Sequence, residues 1–172
     1  PMDEMERAID ASKIILKHQI NQHYKNMLIL PELTAKTVKI PELESSFGII
    51  YRAGLATETL ENTRMLGGLV EENEHHQIPL MAFIDQAAQA QGLPNSHSKA
   101  FLADWWKQYI QVSLVPLIEL FANKGISVEA HMQNSLMEFK QGFPARLIIR
   151  DMEGISVVSE MLNDHSSVSE DS

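Results

Sequence analysis

The feature that most constrains this chain is a change of period at Lys124-Gly125. Before it, apolar residues recur at helical spacing; after it, they alternate as strands do. Ser135-Leu136-Met137-Glu138-Phe139 and Arg146-Leu147-Ile148-Ile149-Arg150 read as two strands. The connection Lys140-Gln141-Gly142-Phe143-Pro144 between them reads as that of a hairpin. Ile126 to Ala130 begins an extended piece, and Ile155 to Val158 is a third strand. Helices first and strands last predict an α+β fold, with N-terminal helices followed by a small antiparallel sheet.

In the helical part, Met5, Ile9, Ile15 or Leu16, Ile20, Tyr24 and Met27 predict a helix from Glu4 to Leu30, stopped by Pro31. Pro31 to Glu44 reads as irregular, with a short edge strand at Val38 and Ile40. Phe47-Gly48-Ile49-Ile50-Tyr51-Arg52 is a short apolar strand ending in a charge. Thr57 to Glu72 is expected to be helical, weakened by Gly67-Gly68, and Glu71 to His76 is a polar break. Pro79 starts a helix to about Gln91. Ser96 or Ser98 caps a long helix from Lys99 to Phe121, kinked at Pro116. Residues 1–162 are expected to form one domain and residues 163–172, polar and serine-rich, a flexible tail.

With 14 Lys and Arg against 23 Asp and Glu, the net charge is −9, which disfavours non-specific binding to nucleic acid or acidic lipid. The absence of cysteine excludes disulfides, thiolate-held iron–sulfur clusters and thiol catalysis from this chain, and fits a cytoplasmic protein. No apolar run reaches membrane-spanning length. A chain that opens Pro1-Met2 reads as an expression remnant or as the cut edge of a larger protein. There is no internal repeat, glycine-rich phosphate loop, zinc-ligand spacing or nucleophile elbow.

Polar, metal-capable side chains crowd the two ends of the hairpin: Glu129-Ala130-His131-Met132-Gln133-Asn134 before it and Arg150-Asp151-Met152-Glu153-Gly154 after it. A hairpin brings its ends together, so His131, Asn134 and Asp151 are expected to converge. The Asn134 oxygen and Asp151 carboxylate are hard ligands that suit magnesium, with phosphate and water completing the shell. His131 can donate to a phosphoryl oxygen, Glu129 can hold a second ion or orient His131, and Arg150 can neutralise phosphate. Alternation raises an objection, because neighbours such as Arg150 and Asp151 cannot both face one side of a regular strand. The plainer alternative is a polar turn. Arg52, ending its strand before Gly54, can clamp a carboxylate or sit in a surface salt bridge. His75 and His76 read as exposed loop residues, His18 and His23 as helix residues at or near the surface, and Trp105 and Trp106 as core.

These blocks, with Pro144-Ala145-Arg146, resemble the signature of the siderophore synthetases that work without a peptide-synthetase template, the aerobactin-synthetase family. Phe47 to Arg52 resembles a segment upstream of that signature, and the likeness spans roughly residues 20 to 160. It implies part of the palm region of a thumb, fingers and palm enzyme. Such enzymes use ATP and Mg2+ to adenylate a carboxylate, typically citrate or a derivative, which an amine or hydroxyl nucleophile then attacks. By resemblance His131, Gln133 and Asn134 contact ATP or its magnesium, Asp151 is a metal ligand and Glu129 lies beside them. The resemblance assigns no role to Arg52 or Arg150. The family's upstream His-Pro motif and its Ser, Arg and Thr triphosphate ligands have no counterpart here, so the chain is expected to be a piece of a longer synthetase, inactive alone. The expected partners are the small-molecule substrates, the remainder of a synthetase and, in a homo-oligomer, further copies; nucleic acid and membrane are not among them. Two rival readings stand beside this one. An ATP-dependent small-molecule kinase would carry a base Asp just after the His, where this chain has Met132. A non-enzymatic helical interaction domain would use the stripe from Leu102 to Phe121.

Overall fold

The computed structural model describes residues 2–38, 48–94, 96, 98–158 and 160–161. Its helices are α1 (Met2–Lys17), α2 (Ile20–His23), α3 (Thr57–Glu61), α4 (Leu66–Val70), α5 (Pro79–Ala90), α6 (Lys99–Ser113) and α7 (Val115–Lys124). Its strands are β1 (Met27–Ile29), β2 (Glu32–Thr37), β3 (Gly48–Arg52), β4 (Thr63–Met65), β5 (Ile126–Ser127), β6 (Ser135–Lys140), β7 (Phe143–Ile149) and β8 (Ser156–Val157). The α+β expectation holds. Four strands form one sheet in the order β1-β7-β6-β4, and β2-β3 and β5-β8 form two small ones. All pairs are antiparallel except β1 with β7.

The hairpin is the frame. Its turn is tighter than the five-residue connection the sequence suggests, because β6 runs through Lys140 and β7 begins at Phe143. Gln141 and Gly142 turn the chain with φ of 50° and 79°, the left-handed pair that matches strand twist in two-residue hairpins. Gly142 is also pressed on α5: a Cβ there would lie 3.0 Å from the Ala87 Cα and closer still to the Ala87 nitrogen and the Phe83 carbonyl. The Trp105 indole donates to the Gly142 carbonyl at 3.0 Å, and the Gln108 amide to the Pro144 carbonyl at 2.8 Å, so α6 lies along β7.

Two helices expected from periodicity break into helix and strand. The first ends at Lys17, and Gln19 adopts a left-handed conformation with φ of 50°. Met27-Leu28-Ile29 leaves the helical pattern to pair with Leu147-Ile148-Ile149. The Asn21 side chain bonds both the nitrogen and the carbonyl of Ile29, at 2.7 and 2.8 Å, occupying groups that an edge strand exposes. Thr57 to Glu72 likewise becomes α3, β4 and α4. Asn62 caps α3, the Thr63 hydroxyl returns to the Thr59 carbonyl at 2.7 Å, and Thr63–Met65 joins β6. In both cases ladder bonds and burial against the hairpin outweigh local helical preference, a few tenths of a kcal/mol per residue (~0.5).

Pro79 starts α5, and the Ser98 hydroxyl, rather than Ser96, caps α6 by accepting from the Phe101 nitrogen. The helix expected to Phe121 breaks at Leu114, with Pro116 in the first turn of α7. Gly125, with φ of 63°, closes α7. The irregular stretch after Pro31 is β2, ending before Val38. Ile40, Phe47 and the tail from Asn163 to Ser172 lie outside the described residues.

Alternation divides the main sheet. Met27, Ile29, Met137, Phe139, Leu147 and Ile149 join one core cluster with Ile15 of α1, Ala87 of α5 and Phe101 and Trp105 of α6. Burying each large side chain there stabilises by about 1.5–3 kcal/mol. The opposite face carries a row of register partners, Leu28, Ile148, Leu136 and Met65, which lie outside that cluster. Among the described residues no helix is long and apolar enough to cross a membrane.

Candidate nucleotide and metal site

Because β7 runs parallel to β1 and antiparallel to β6, residues just before β6 and just after β1 and β7 emerge at one end of the sheet. Ser135 opposes Ile149, and the next pair outward is joined by the Arg150 nitrogen donating to the Asn134 carbonyl at 3.0 Å. Residues 129–134 and 150–154 are therefore neighbours, as the hairpin pattern requires.

The 131–134 segment is a turn, closed by the Asn134 nitrogen donating to the His131 carbonyl at 3.0 Å. The Gly67 nitrogen, at the start of α4, donates to the Met132 carbonyl at 3.1 Å and ties the turn to the rest of the fold. His131 Nδ1 accepts from the Gln133 nitrogen at 3.2 Å. In the neutral ring the proton then sits on Nε2. Nε2 faces Glu129 Oε1 at 3.6 Å, too long for a hydrogen bond, with both side chains about half exposed. The Arg150 guanidinium folds back across the turn, donating to the Gln133 carbonyl at 3.1 Å.

The objection from alternation is met by the backbone. The strand ends at Ile149, and Asp151 has φ of 72°, a left-handed conformation outside β geometry. Arg150 and Asp151 are thus freed from opposite-face placement. Met152, fully buried, anchors the segment to the core, while among the described residues Asp151 Oδ1 makes only a long 3.4 Å contact with the Glu153 nitrogen. Glu129 lies over Gly154, where the side chain of any other residue would collide with it.

Glu129, His131, Gln133, Asn134, Arg150 and Asp151 are thus gathered at one exposed end of the sheet. Among the described residues, no three His, Asp or Glu side chains are placed to hold an ion as a closed cage. The donors present, one amide oxygen and two carboxylates, fit the regime in which magnesium takes one or two protein carboxylates and completes its shell with phosphate and water.

Arg52 is placed differently. Its guanidinium donates to buried Glu32 Oε1 at 2.5 Å, leaving Glu32 Oε2 and Arg52 Nε without partners among the described residues. No hydrogen bond or ion pair among the described residues joins it to the two segments. It reaches the same end of the molecule only through the backbone: the Leu30 nitrogen donates to the Ile149 carbonyl, and the Ala53 nitrogen to Pro31, each at 2.9 Å. His75 and His76 are exposed, and Trp105 is buried while Trp106 is exposed.

Sequence reading missed Gly67, Gly154 and Ser135. Gly67-Gly68, read as weakness within a helix, is a start of one; Gly154 three residues after Asp151 was a visible signal. Ser135, whose buried hydroxyl has no partner among the described residues, carried none.

Over 166 residues the chain is 31% identical to the L-2,3-diaminopropanoate–citrate ligase of Staphylococcus aureus (strain NCTC 8325 / PS 47), covering 90% of this chain and 27% of that protein. The chain is homologous to the template-independent siderophore synthetases. A second such synthetase, the N(2)-citryl-N(6)-acetyl-N(6)-hydroxylysine synthase of Vibrio mimicus, is 36% identical over 101 residues, 58% of this chain and 16% of that one. The chain spans about a quarter or less of the length of these curated siderophore synthetases. In fold it matches the ATP-bound aerobactin synthetase IucA from a hypervirulent pathotype of Klebsiella pneumoniae, with a TM-score of 0.79 and 18% identity over 97% of this chain and 31% of that one. The helices and small sheets correspond to the palm of the siderophore synthetase fold. A family model described as a ferric iron reductase FhuF-like transporter matches residues 103–172, less than half of the chain.

Proposed function

We propose that this chain supplies part of the nucleotide site of a cytoplasmic, ATP-dependent siderophore synthetase that adenylates a carboxylate for condensation with an amine or hydroxyl nucleophile. The observation that carries this reading is the bond between Arg150 and Asn134, which gathers an imidazole, an amide and carboxylates at one open end of the sheet. The names of the relatives support it: the Staphylococcus aureus protein is a citrate ligase, and the Klebsiella pneumoniae structure has ATP bound. Citrate or a citrate derivative is the carboxylate proposed.

Adenylation is attack by a carboxylate oxygen on the α-phosphorus of ATP, with pyrophosphate leaving. Both reactants are anionic, so the site must offset their repulsion and hold them in line. His131 Nε2 and the Gln133 amide would donate to the nucleotide, and Arg150 would neutralise phosphate charge. Asn134 and Asp151, with Glu129 beside them, would hold magnesium, which when bound polarises the phosphoryl group and stabilises the leaving charge. Arg52 would orient the carboxylate once released in part from Glu32. The remainder of a longer synthetase would supply the triphosphate clamp. Exposed Leu114, at the N-cap of α7, with Ile118 and Phe121 at helical spacing along it, offers an apolar face for such a partner.

In the full-length enzyme, Asp151→Asn and His131→Ala are each expected to lower turnover about a hundredfold, roughly 3 kcal/mol of transition-state stabilisation, with the fold intact. Near-normal rates in both would sink the assignment. Formation of AMP and pyrophosphate supports a synthetase; ADP would point to a kinase instead. Carboxylate-dependent ATP–pyrophosphate exchange by the 172-residue chain alone would overturn the expectation that it is inactive.

A further inference from the structure

The bulge in the hairpin builds a second polar site. Glu138 opposes Arg146, but Phe139 opposes Pro144, so Ala145 is left over and the strand bends there. On the resulting surface Arg146 Nε donates to Glu138 Oε2 at 2.8 Å. The Glu138 side chain is only 10% exposed and forms the floor of a cleft of about 620 Å³. Lys25 and Asn26 from the turn before β1, Lys140 at the end of β6 and Glu58 of α3 stand around it.

The charge of this cleft runs against that of the molecule. Three cations meet two carboxylates, in a chain with 14 basic and 23 acidic residues. Glu138 takes only the Nε of Arg146, and the terminal guanidinium nitrogens donate to no described residue. Lys25 and Lys140 likewise have no hydrogen-bond or ion-pair partner among the described residues. A buried carboxylate therefore holds Arg146 in place while its forked donors, and two ammonium groups, remain available. Forked and point-charge donors converging on one concave surface suit an anion with several oxygens.

We infer that this cleft is a second ligand site, for a small multivalent oxyanion such as a tricarboxylate or a pyrophosphate. It is separate from the nucleotide site proposed above. Arg146 lies three residues before the end of β7 at Ile149, about 10 Å at 3.3 Å per residue, and the nucleotide site lies beyond that end. The inference does not depend on the nucleotide reading.

The test is calorimetric titration of the 172-residue chain, without ATP or magnesium, using propane-1,2,3-tricarboxylate and inorganic pyrophosphate as probes and acetate as control. Amide NMR shifts at Lys140 and Gln141 report the location. At least one probe is expected to saturate, to outcompete acetate, and to bind at least about tenfold more weakly to Lys25→Gln/Lys140→Gln, with binding by Arg150→Gln unchanged. The stronger probe identifies the carboxylate or phosphoryl source, and either choice supports the site. No saturation by about 20 mM with either probe overturns it, because such affinity is below that of a specific site. So does equal binding by the double variant, or loss of binding in Arg150→Gln, which would locate the anion at the other end of the sheet. Both lysines are exposed, so the double variant is expected to fold; its circular dichroism spectrum verifies that.

Discussion

Glu129 closes over Gly154: a Cβ at position 154 would stand 2.6 Å from the Glu129 Cβ and nearer still to its carboxylate. Glycine is required there by space, since no left-handed φ is involved. The same carboxylate faces His131 Nε2, so the closing residue of the second segment determines where the first segment's acid can lie. Gly154→Ala is expected to cost about 1–3 kcal/mol in urea unfolding, the usual penalty of overpacking. Combining it with Glu129→Gly, which removes the colliding atoms, should cost clearly less than the sum of the two single changes. Strict additivity would show that the two residues do not press on each other.

Asp151 separates backbone from chemistry. Its φ of 72° suits glycine better than any β-branched residue. Asp151→Gly should leave stability unchanged or raise it by up to about 1 kcal/mol, while Asp151→Val should lower it by about 1–2 kcal/mol. In the full-length enzyme both are expected to lose activity alike. A stable, active Asp151→Gly enzyme would mean that the carboxylate has no part in the reaction.

The hairpin turn is clamped between α5 and α6, so Gly142→Ala meets both a φ of 79° and the backbone of Ala87. A loss of about 2–4 kcal/mol is expected. Trp105 donates to the carbonyl of the same residue, so its fluorescence should shift in the folded variant. Unchanged stability and emission would contradict the packing described.

Ser98 caps α6, whereas Ser96 donates its hydroxyl to Asp85. Ser98→Ala should cost about 1 kcal/mol by thermal unfolding. No measurable loss from Ser98→Ala would contradict the assignment of the cap.

His18 responds to pH. Burial first, and then the charges of Lys17 and Lys124, hold its pKa below the ordinary histidine value. The folded state therefore resists the proton that the unfolded chain accepts. Its neutral form contributes full stability above the unfolded pKa of about 6.5, and that contribution declines as pH falls through it. NMR titration should place the His18 midpoint below the ordinary histidine value, and Lys17→Gln/Lys124→Gln should raise it. A midpoint at or above the ordinary value in the parent chain would contradict this electrostatic picture.

What could be read directly from residue order was the hairpin and everything contiguous with it. Alternation over Ser135–Phe139 and Arg146–Ile149 is a local pattern that only a two-stranded pairing buries well, and it carries residues 129–134 and 150–154 to one end. Pro79, Ser98, Pro116 and Gly125 mark helix ends for equally local reasons. Tertiary structure decided the rest. Met27–Ile29 and Thr63–Met65 lie in stretches of helical spacing, and became strands only because β7 and β6 offer them unpaired edges far away in the chain. The engagement of Arg52 by Glu32, and the room Gly154 leaves for Glu129, depend on contacts between segments distant in sequence. Periodicity reports what a residue can bury against its near neighbours; which edge is vacant, and which carboxylate reaches an arginine first, exists only once the chain has closed on itself.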